Sequence, residues 1–381
     1  MRSIVKLWFL LIVGLGLLAS ACTDDEPAPP IVVEPDPDPD PEPEPNEPAV
    51  EPTISNLLIN QVDEVIIPTY FDYQEKVVSF TAIVDDFVSA PTESSLNAVR
   101  EAYLQAYRSY QAAAVHNYYA TSNVDLVNTT NLYPIDVTLL DELISSESYN
   151  FNTTAQRRAN GYPALDYLLY GDQDVLAAFA NDPKRTAFLQ ALVGALQTKA
   201  DDLVQRWTGT LRDNFVNNGG VALGSSVSVQ LNRSLVYYEE HIRGNKVGLP
   251  IGRLGPNDTP IARDASKIES YYKSLQDNSD ETALELVRVA VEEMEDIYLG
   301  STSEAGDGIG YEDLLLAADQ ESLDTDIKAQ YQQIYDQIAG RTLITGDENL
   351  YNSIQALITL YKSDLFPVLN VQDADGANDG D

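Results

Sequence analysis

Two histidines, one cysteine and a surplus of carboxylates bound the chemistry open to this chain. His116 is followed by Asn117-Tyr118-Tyr119-Ala120 and His241 by Ile242-Arg243-Gly244-Asn245, so neither opens the His-Glu-x-x-His pattern of a helical zinc protease. Glu239, Glu240 and His241 are consecutive. Neighbours on a helix point about 100° apart and do not converge on one ion, so this triplet reads as a solvated helix face. The lone Cys22 excludes zinc sites built from four cysteines or from two cysteines and two histidines, and leaves no internal disulfide. No Gly-x-Ser-x-Gly elbow and no phosphate loop closing on Lys-Ser/Thr occurs. The closing run from Asp373 to Asp381 has the flavour of a calcium loop but lacks the closing Glu, and reads as a solvated tail. A carboxylate-only site stays open because acids are everywhere. The acidity favours a cation as ligand, with no metal ligand assigned.

One stretch stands out, NGYPALDYLLYGD from Asn160 to Asp172. Gly161 permits a sharp turn, Pro163 suits a first helical turn, and Leu165, Leu168 and Leu169 form an apolar stripe. Asp166 near the helix start gains from the macrodipole. A helix opening and a small-molecule or cation cleft both fit these residues.

The elements that must position such residues are helical. The stripe Leu57, Leu58, Val62, Val65, Ile66 runs to Pro68 and resumes over Tyr73 to Val88. Thr92 caps a helix with the stripe Leu96, Val99, Tyr103, Tyr107, Tyr110. Asp182 caps another, with Pro183 at its first position. After the break at Asn217-Asn218-Gly219-Gly220, helices are expected over Val227 to His241, from Ser266 to Leu275, and over Ala283 to Leu299, Asp324 to Ile338 and Leu350 to Leu365. No run of alternating strands appears. The expected fold is all-α: two tandem four-helix-type bundles, residues 52–216 and 217–381 with the acidic tail, together one domain. Most of the 22 tyrosines are expected in the core, ring packed and hydroxyl on a carbonyl or water.

The first 51 residues are of a different kind. Arg2 and Lys6, the apolar run Leu7 to Leu18, and Ala19-Ser20-Ala21 before Cys22 make a lipoprotein signal peptide over residues 1–21, with Cys22 the lipidated residue. Residues 22–51 alternate Pro with Asp and Glu. They form an extended tether with a reach of roughly 90 Å at about 3.1 Å per residue. The chain carries 381 residues and a formal charge of −37, with 44% hydrophobic residues, enough for a sizeable core. Such a charge excludes a nucleic-acid partner, whose phosphates it repels. The partners expected are the membrane, through the lipid on Cys22, a metal or small ligand, and an envelope protein.

From about Pro52 onward the chain resembles the imelysin family, also called M75 peptidase-like or iron-regulated protein A-like. The segments that carry the likeness are LLINQVDEVIIPTY (57–70), PTESSLNAVREAYLQAYRSY (91–110), NLYPIDVTLLDELI (131–144), GYPALDYLLYG (161–171), YYEEHIRGNKVGLP (237–250) and the closing NDGD. The resemblance implies two helical bundles, an envelope lipoprotein, a link to bacterial iron uptake and a peptidase-type family. Its Gly-x-His-x-x-Glu motif, the family's presumed metal-binding or active site, falls on Gly161, Pro163 and Asp166. The His position is Pro163, whose ring has no donor atom, and the Glu is shortened to Asp. The Thr23-Asp24-Asp25-Glu26 start resembles the surface-export signals of Bacteroidetes lipoproteins, so an outer-membrane lipoprotein facing either side is expected.

The lipid anchor, the tether, the acidity and the resemblance together imply a non-enzymatic binding protein associated with iron or other cation uptake, with iron or another divalent cation as the cofactor to expect and no catalytic residue assigned. Asp166, Asp136, Arg158, Lys246 and Glu269 are its candidate cleft residues. A metallopeptidase of the M75 type and a surface protein-interaction module are the alternatives.

Overall fold

A computed structural model describes residues 51–121, 125–253, 263–302 and 308–374. The signal segment, Cys22, the tether up to residue 50 and the last seven residues of the acidic tail lie outside them. No strand occurs among the described residues.

The helices that frame the site are α1 (Ile67–Ser89), α2 (Glu93–Val115), α3 (Val137–Ser146), α4 (Gly161–Tyr170), α5 (Pro183–Trp207), α6 (Ser226–Tyr237), α7 (Tyr271–Asp277), α8 (Glu281–Leu299), α9 (Glu321–Ile338) and α10 (Asn349–Leu360). Their caps are those the sequence advertises. The Thr92 hydroxyl accepts from the Ser95 N–H at 3.1 Å, and Asp182 Oδ1 accepts from the Lys184 N–H at 3.0 Å with Pro183 following.

Three prolines explain three departures from regular α geometry. The segments Gln61–Ile66, Tyr238–Gly248 and Tyr361–Leu365 are π-helical. Each is followed within two residues by a proline: Pro68, Pro250 and Pro367. A proline within a helix has no N–H to donate and crowds the carbonyl one turn back. A wider turn ahead of it relieves that crowding, so the helix continues where the sequence pattern suggested a stop at Pro68.

One expected helix is divided. Ser266 to Leu275 becomes a 3-10 turn, Ala265–Lys267, and then α7. Ser270 between them has φ of +59°. Glu269 therefore leaves the helical path and turns inward, which its partners below explain.

Helix α2 lies at the centre. It packs against α1, which also meets α5, and against α8 from the second half of the chain. Val50–Asp381 form one compact unit. Its largest fully buried side chains are nearly all tyrosines, among them Tyr70, Tyr73, Tyr103, Tyr107, Tyr110 and Tyr162. Their hydroxyls find carbonyls as expected: Tyr70 donates to the His116 carbonyl at 2.7 Å and Tyr162 to the Ala106 carbonyl at 3.0 Å.

Candidate functional site

The stretch from Asn160 to Asp166 is built residue by residue for close approach. The backbone of Thr130 passes directly beneath Gly161. A Cβ there would lie 1.9 Å from the Thr130 carbonyl oxygen, and φ is +67°. Only glycine fits. The Asn160 side chain clamps the turn, accepting from the Gly161 N–H at 2.7 Å and donating to the Thr129 carbonyl at 2.7 Å. Tyr162 stacks flat on Tyr107 with ring centroids 4.4 Å apart, a contact worth about 0.5–1.5 kcal/mol beyond burial. Together these fix the start of α4 against α2.

Pro163 and Asp166 then face a cleft of about 230 Å³ lined by Tyr133, Pro134, Ile135, Ser266, Ile268, Ser270, Tyr271 and Tyr272. The Asp166 carboxylate is only 2% exposed. It accepts from the backbone N–H of Tyr272 at 2.7 Å and of Lys273 at 3.1 Å, and from the Ser270 hydroxyl at 3.3 Å. These amides open α7, whose own capping residue, Ser270, makes no side-chain cap bond to the helix. Asp166 therefore caps a helix to which it does not belong. Burial pushes its carboxyl up to about 7, against the pull of those donors.

Two further candidate residues, Lys246 and Glu269, meet each other, Glu269 standing next in sequence to Ser270 of the cleft lining. Lys246 and Glu269 form an ion pair at 2% and 1% exposure. Glu269 Oε1 also accepts from Asn131 Nδ2 at 2.6 Å, Tyr107 Oη at 2.9 Å and Gln111 Nε2 at 3.0 Å. Lys246 Nζ donates to Gln111 Oε1 at 2.5 Å. Burial alone would raise the Glu269 carboxyl; the Lys246 charge and the hydrogen bonds from Lys246, Asn131 and Gln111 outweigh it and hold the group below its usual value. Burial lowers the Lys246 ammonium, opposed by Glu269. Here four chain segments are drawn together: α2, the 131–135 loop, the π-helical turn carrying Lys246, and the break before α7.

Asp136 and Arg158 are placed apart from this group. Both are exposed. Asp136 caps α3 through the Leu139 N–H at 3.0 Å, and its own N–H donates to the Arg158 carbonyl at 2.8 Å. Neither lines the cleft beside Asp166: the Asp136 carboxylate is engaged in capping its own helix, and Arg158 lies in the 3-10 turn Thr154–Ala159.

Sequence reasoning passed over Tyr107, Gln111 and Asn131 as site residues, and the pair of His116 with Glu293. His116 Nε2 meets Glu293 Oε1, while its Nδ1 meets the Tyr118 hydroxyl at 2.8 Å. The signal was present in Gln111, a polar residue one turn after Tyr107 on a buried stripe, where only a paired group is tolerated.

Among the described residues no three His, Cys, Asp or Glu side chains are placed to hold one metal ion. At the motif itself, Pro163 has no donor atom and the Asp166 oxygens are engaged by backbone amides, so these residues do not fit a metal held in the family's manner.

The family profile of imelysin, Peptidase_M75, matches residues 66–362. The chain belongs to the imelysin family. Two crystal structures share its fold. One is of a putative iron-regulated protein A precursor from Parabacteroides distasonis ATCC 8503, 15% identical, with TM-score 0.68, covering 84% of this chain and 97% of that one. The other is of an imelysin-like protein from Psychrobacter arcticum 273-4, 15% identical, with TM-score 0.65, covering 84% and 96%. At such identity the likeness is one of fold. No curated protein matches the chain. No helix among the described residues is long and apolar enough to cross a membrane.

Proposed function

We propose that this imelysin-family chain is a non-catalytic, lipid-anchored envelope protein that binds a small organic carrier of iron in the cleft beside Asp166. The observation that carries the reading is the engagement of Asp166 with the amides of Tyr272 and Lys273. The altered motif holds the cleft wall in place and leaves recognition to the wall itself. That wall is aromatic and apolar at Tyr133, Pro134, Ile135, Ile268, Tyr271 and Tyr272, with hydroxyls at Ser266 and Ser270. Such a lining suits a planar organic ligand with a few polar groups better than a bare ion. The iron association is supported by family membership and by the iron-regulated protein whose fold it shares. Anchoring rests on Cys22 at the end of the signal segment, with the Pro-rich tether as spacer and the outer membrane as its place.

The test is calorimetric titration of the full-length protein with ferric citrate, ferric 2,3-dihydroxybenzoate and the bare ferric, ferrous and zinc ions. A ferric chelate is expected to bind, with about ten-fold loss or more in Tyr272→Ala. Failure of both chelates overturns the reading. So does stoichiometric uptake of a bare ion that Asp166→Ala abolishes.

A further inference from the structure

A second cleft, of about 340 Å³, lies away from the family motif. One wall is a single face of α6 and the π-helical turn after it: Arg233, Tyr237 and His241, with Glu240 beside them. The opposite wall carries Asn117 and Tyr118, which follow α2, and Asp125. Val115, Val127 and Val236 give it an apolar base.

Its polar groups are of opposite sign and incompletely used. Arg233 is exposed, and among the described residues no hydrogen bond or ion pair reaches its guanidinium. In a chain of net charge −37, a cation left unpaired on a cleft wall is unusual. The buried Tyr237 likewise has no hydrogen-bond partner for its hydroxyl among the described residues. Across the cleft, Asp125 is held rigidly. Its carboxylate accepts from Asn117 Nδ2 at 3.1 Å and from Asn128 N and Nδ2 at 3.1 and 3.0 Å, leaving room for one further donor. The Asn245 amide donates to His241 Nδ1 at 3.1 Å. That sets the neutral ring as the Nε2–H tautomer, one more donor on the Arg233 wall.

We infer that this cleft binds a small zwitterion, a free amino acid or dipeptide, with Arg233 taking its carboxylate and Asp125 its ammonium. Charge decides among ligand classes. A simple anion would meet Arg233 but be repelled by the protein's field and by Asp125 and Glu240. A simple cation would meet Asp125 but face the guanidinium. A neutral sugar would leave the charges on both walls uncompensated. A zwitterion satisfies both walls and carries no net charge against the field, and guanidinium to carboxylate is a favoured bidentate pairing.

This inference stands apart from the iron-carrier reading: Tyr272→Ala leaves the second cleft untouched. The experiment is calorimetric titration of the full-length protein with the twenty free L-amino acids and with L-leucyl-glycine, its N-acetyl derivative and its C-terminal amide. The parent is expected to bind, and each blocked form about ten-fold more weakly or worse. Arg233→Gln, at an exposed position, should abolish discrimination between parent and amide. Asp125→Asn, which retains a capping side chain, should abolish discrimination between parent and N-acetyl form. Thermal melts of both variants check that they fold. The inference is overturned if the N-acetyl form binds as tightly as the parent, which marks an anion site, if the amide does, which marks a cation site, or if no free amino acid or dipeptide binds.

Discussion

Asp166 and Tyr272 stand 106 residues apart in sequence and meet through a 2.7 Å hydrogen bond from the Tyr272 backbone N–H to the Asp166 carboxylate. One carboxylate thereby joins α4, the helix of the family motif, to α7, the opposite wall of the cleft. The resemblance read from the sequence implies a histidine at position 163 and a longer acid at position 166. Here, with proline at the histidine position, the acid acts as an architectural cap.

That role has a pH signature. The folded Asp166 carboxyl is raised to about 7 by burial, from an ordinary value of 3.8. Between those values the folded state holds a proton that the unfolded state has lost, so this group's contribution to stability is full below about pH 4 and declines as pH rises toward 7. Asp166→Asn removes the titration and also faces an amide NH₂ against a backbone N–H, costing about 1–3 kcal/mol. Its deficit relative to the parent should be largest near pH 4 and shrink toward pH 7.5 in urea melts. A deficit independent of pH would contradict the assignment.

Gly161 supplies a test of the turn that carries the motif. Gly161→Ala must both adopt positive φ and displace the Thr130 backbone, and should cost about 3 kcal/mol or more. Gly340 has a similar φ, +72°, with open space around it. Gly340→Ala should cost only about 1–2 kcal/mol, the backbone strain alone. The comparison of denaturation midpoints separates steric from conformational cost; equal losses would remove the Thr130 contact from the account.

How far the sequence foretold this site depends on which forces set each piece. The caps Thr92 and Asp182 and the tyrosine stripe of α2 were legible because they depend on local spacing. Gly161 and Pro163 were legible as a helix opening for the same reason. Lys246 and Glu269 could be named from the family likeness, but not joined, since 23 residues and a broken helix separate them. The break at Ser270 was hidden because it is a tertiary effect: Glu269 is turned inward by Asn131, Gln111 and Lys246, against the helical preference of its own neighbours. The π-helical turns were hidden because apolar periodicity alone does not report the width of a turn.

The Lys246–Glu269 pair predicts a pronounced asymmetry. Lys246→Met leaves a buried carboxylate without its cation and should cost about 3–5 kcal/mol. Glu269→Leu should do the same to the ammonium. The double variant replaces both charges with apolar groups and should lose markedly less than the sum of the two, with a coupling of about 1–3 kcal/mol in a double-mutant cycle. Additive losses would mean that the two charges do not interact as placed.

His241 should resist protonation. Burial, and after it the nearby Lys246 charge, lower its pKa from 6.5 to about 4. The folded state then binds fewer protons than the unfolded state between those values. The contribution to stability is present above about pH 6.5 and is lost as pH falls toward 4. A ¹⁵N-resolved spectrum of the imidazole at pH 5.5 should therefore show a neutral ring carrying its proton on Nε2, the tautomer set by the Asn245 amide. His241→Gln should flatten the acid limb of the stability profile over that range without changing the limb above it. In Lys246→Met the repulsion from the ammonium is gone, so the His241 midpoint should move upward, a shift that ties the wall of the second cleft electrostatically to the buried Lys246–Glu269 pair.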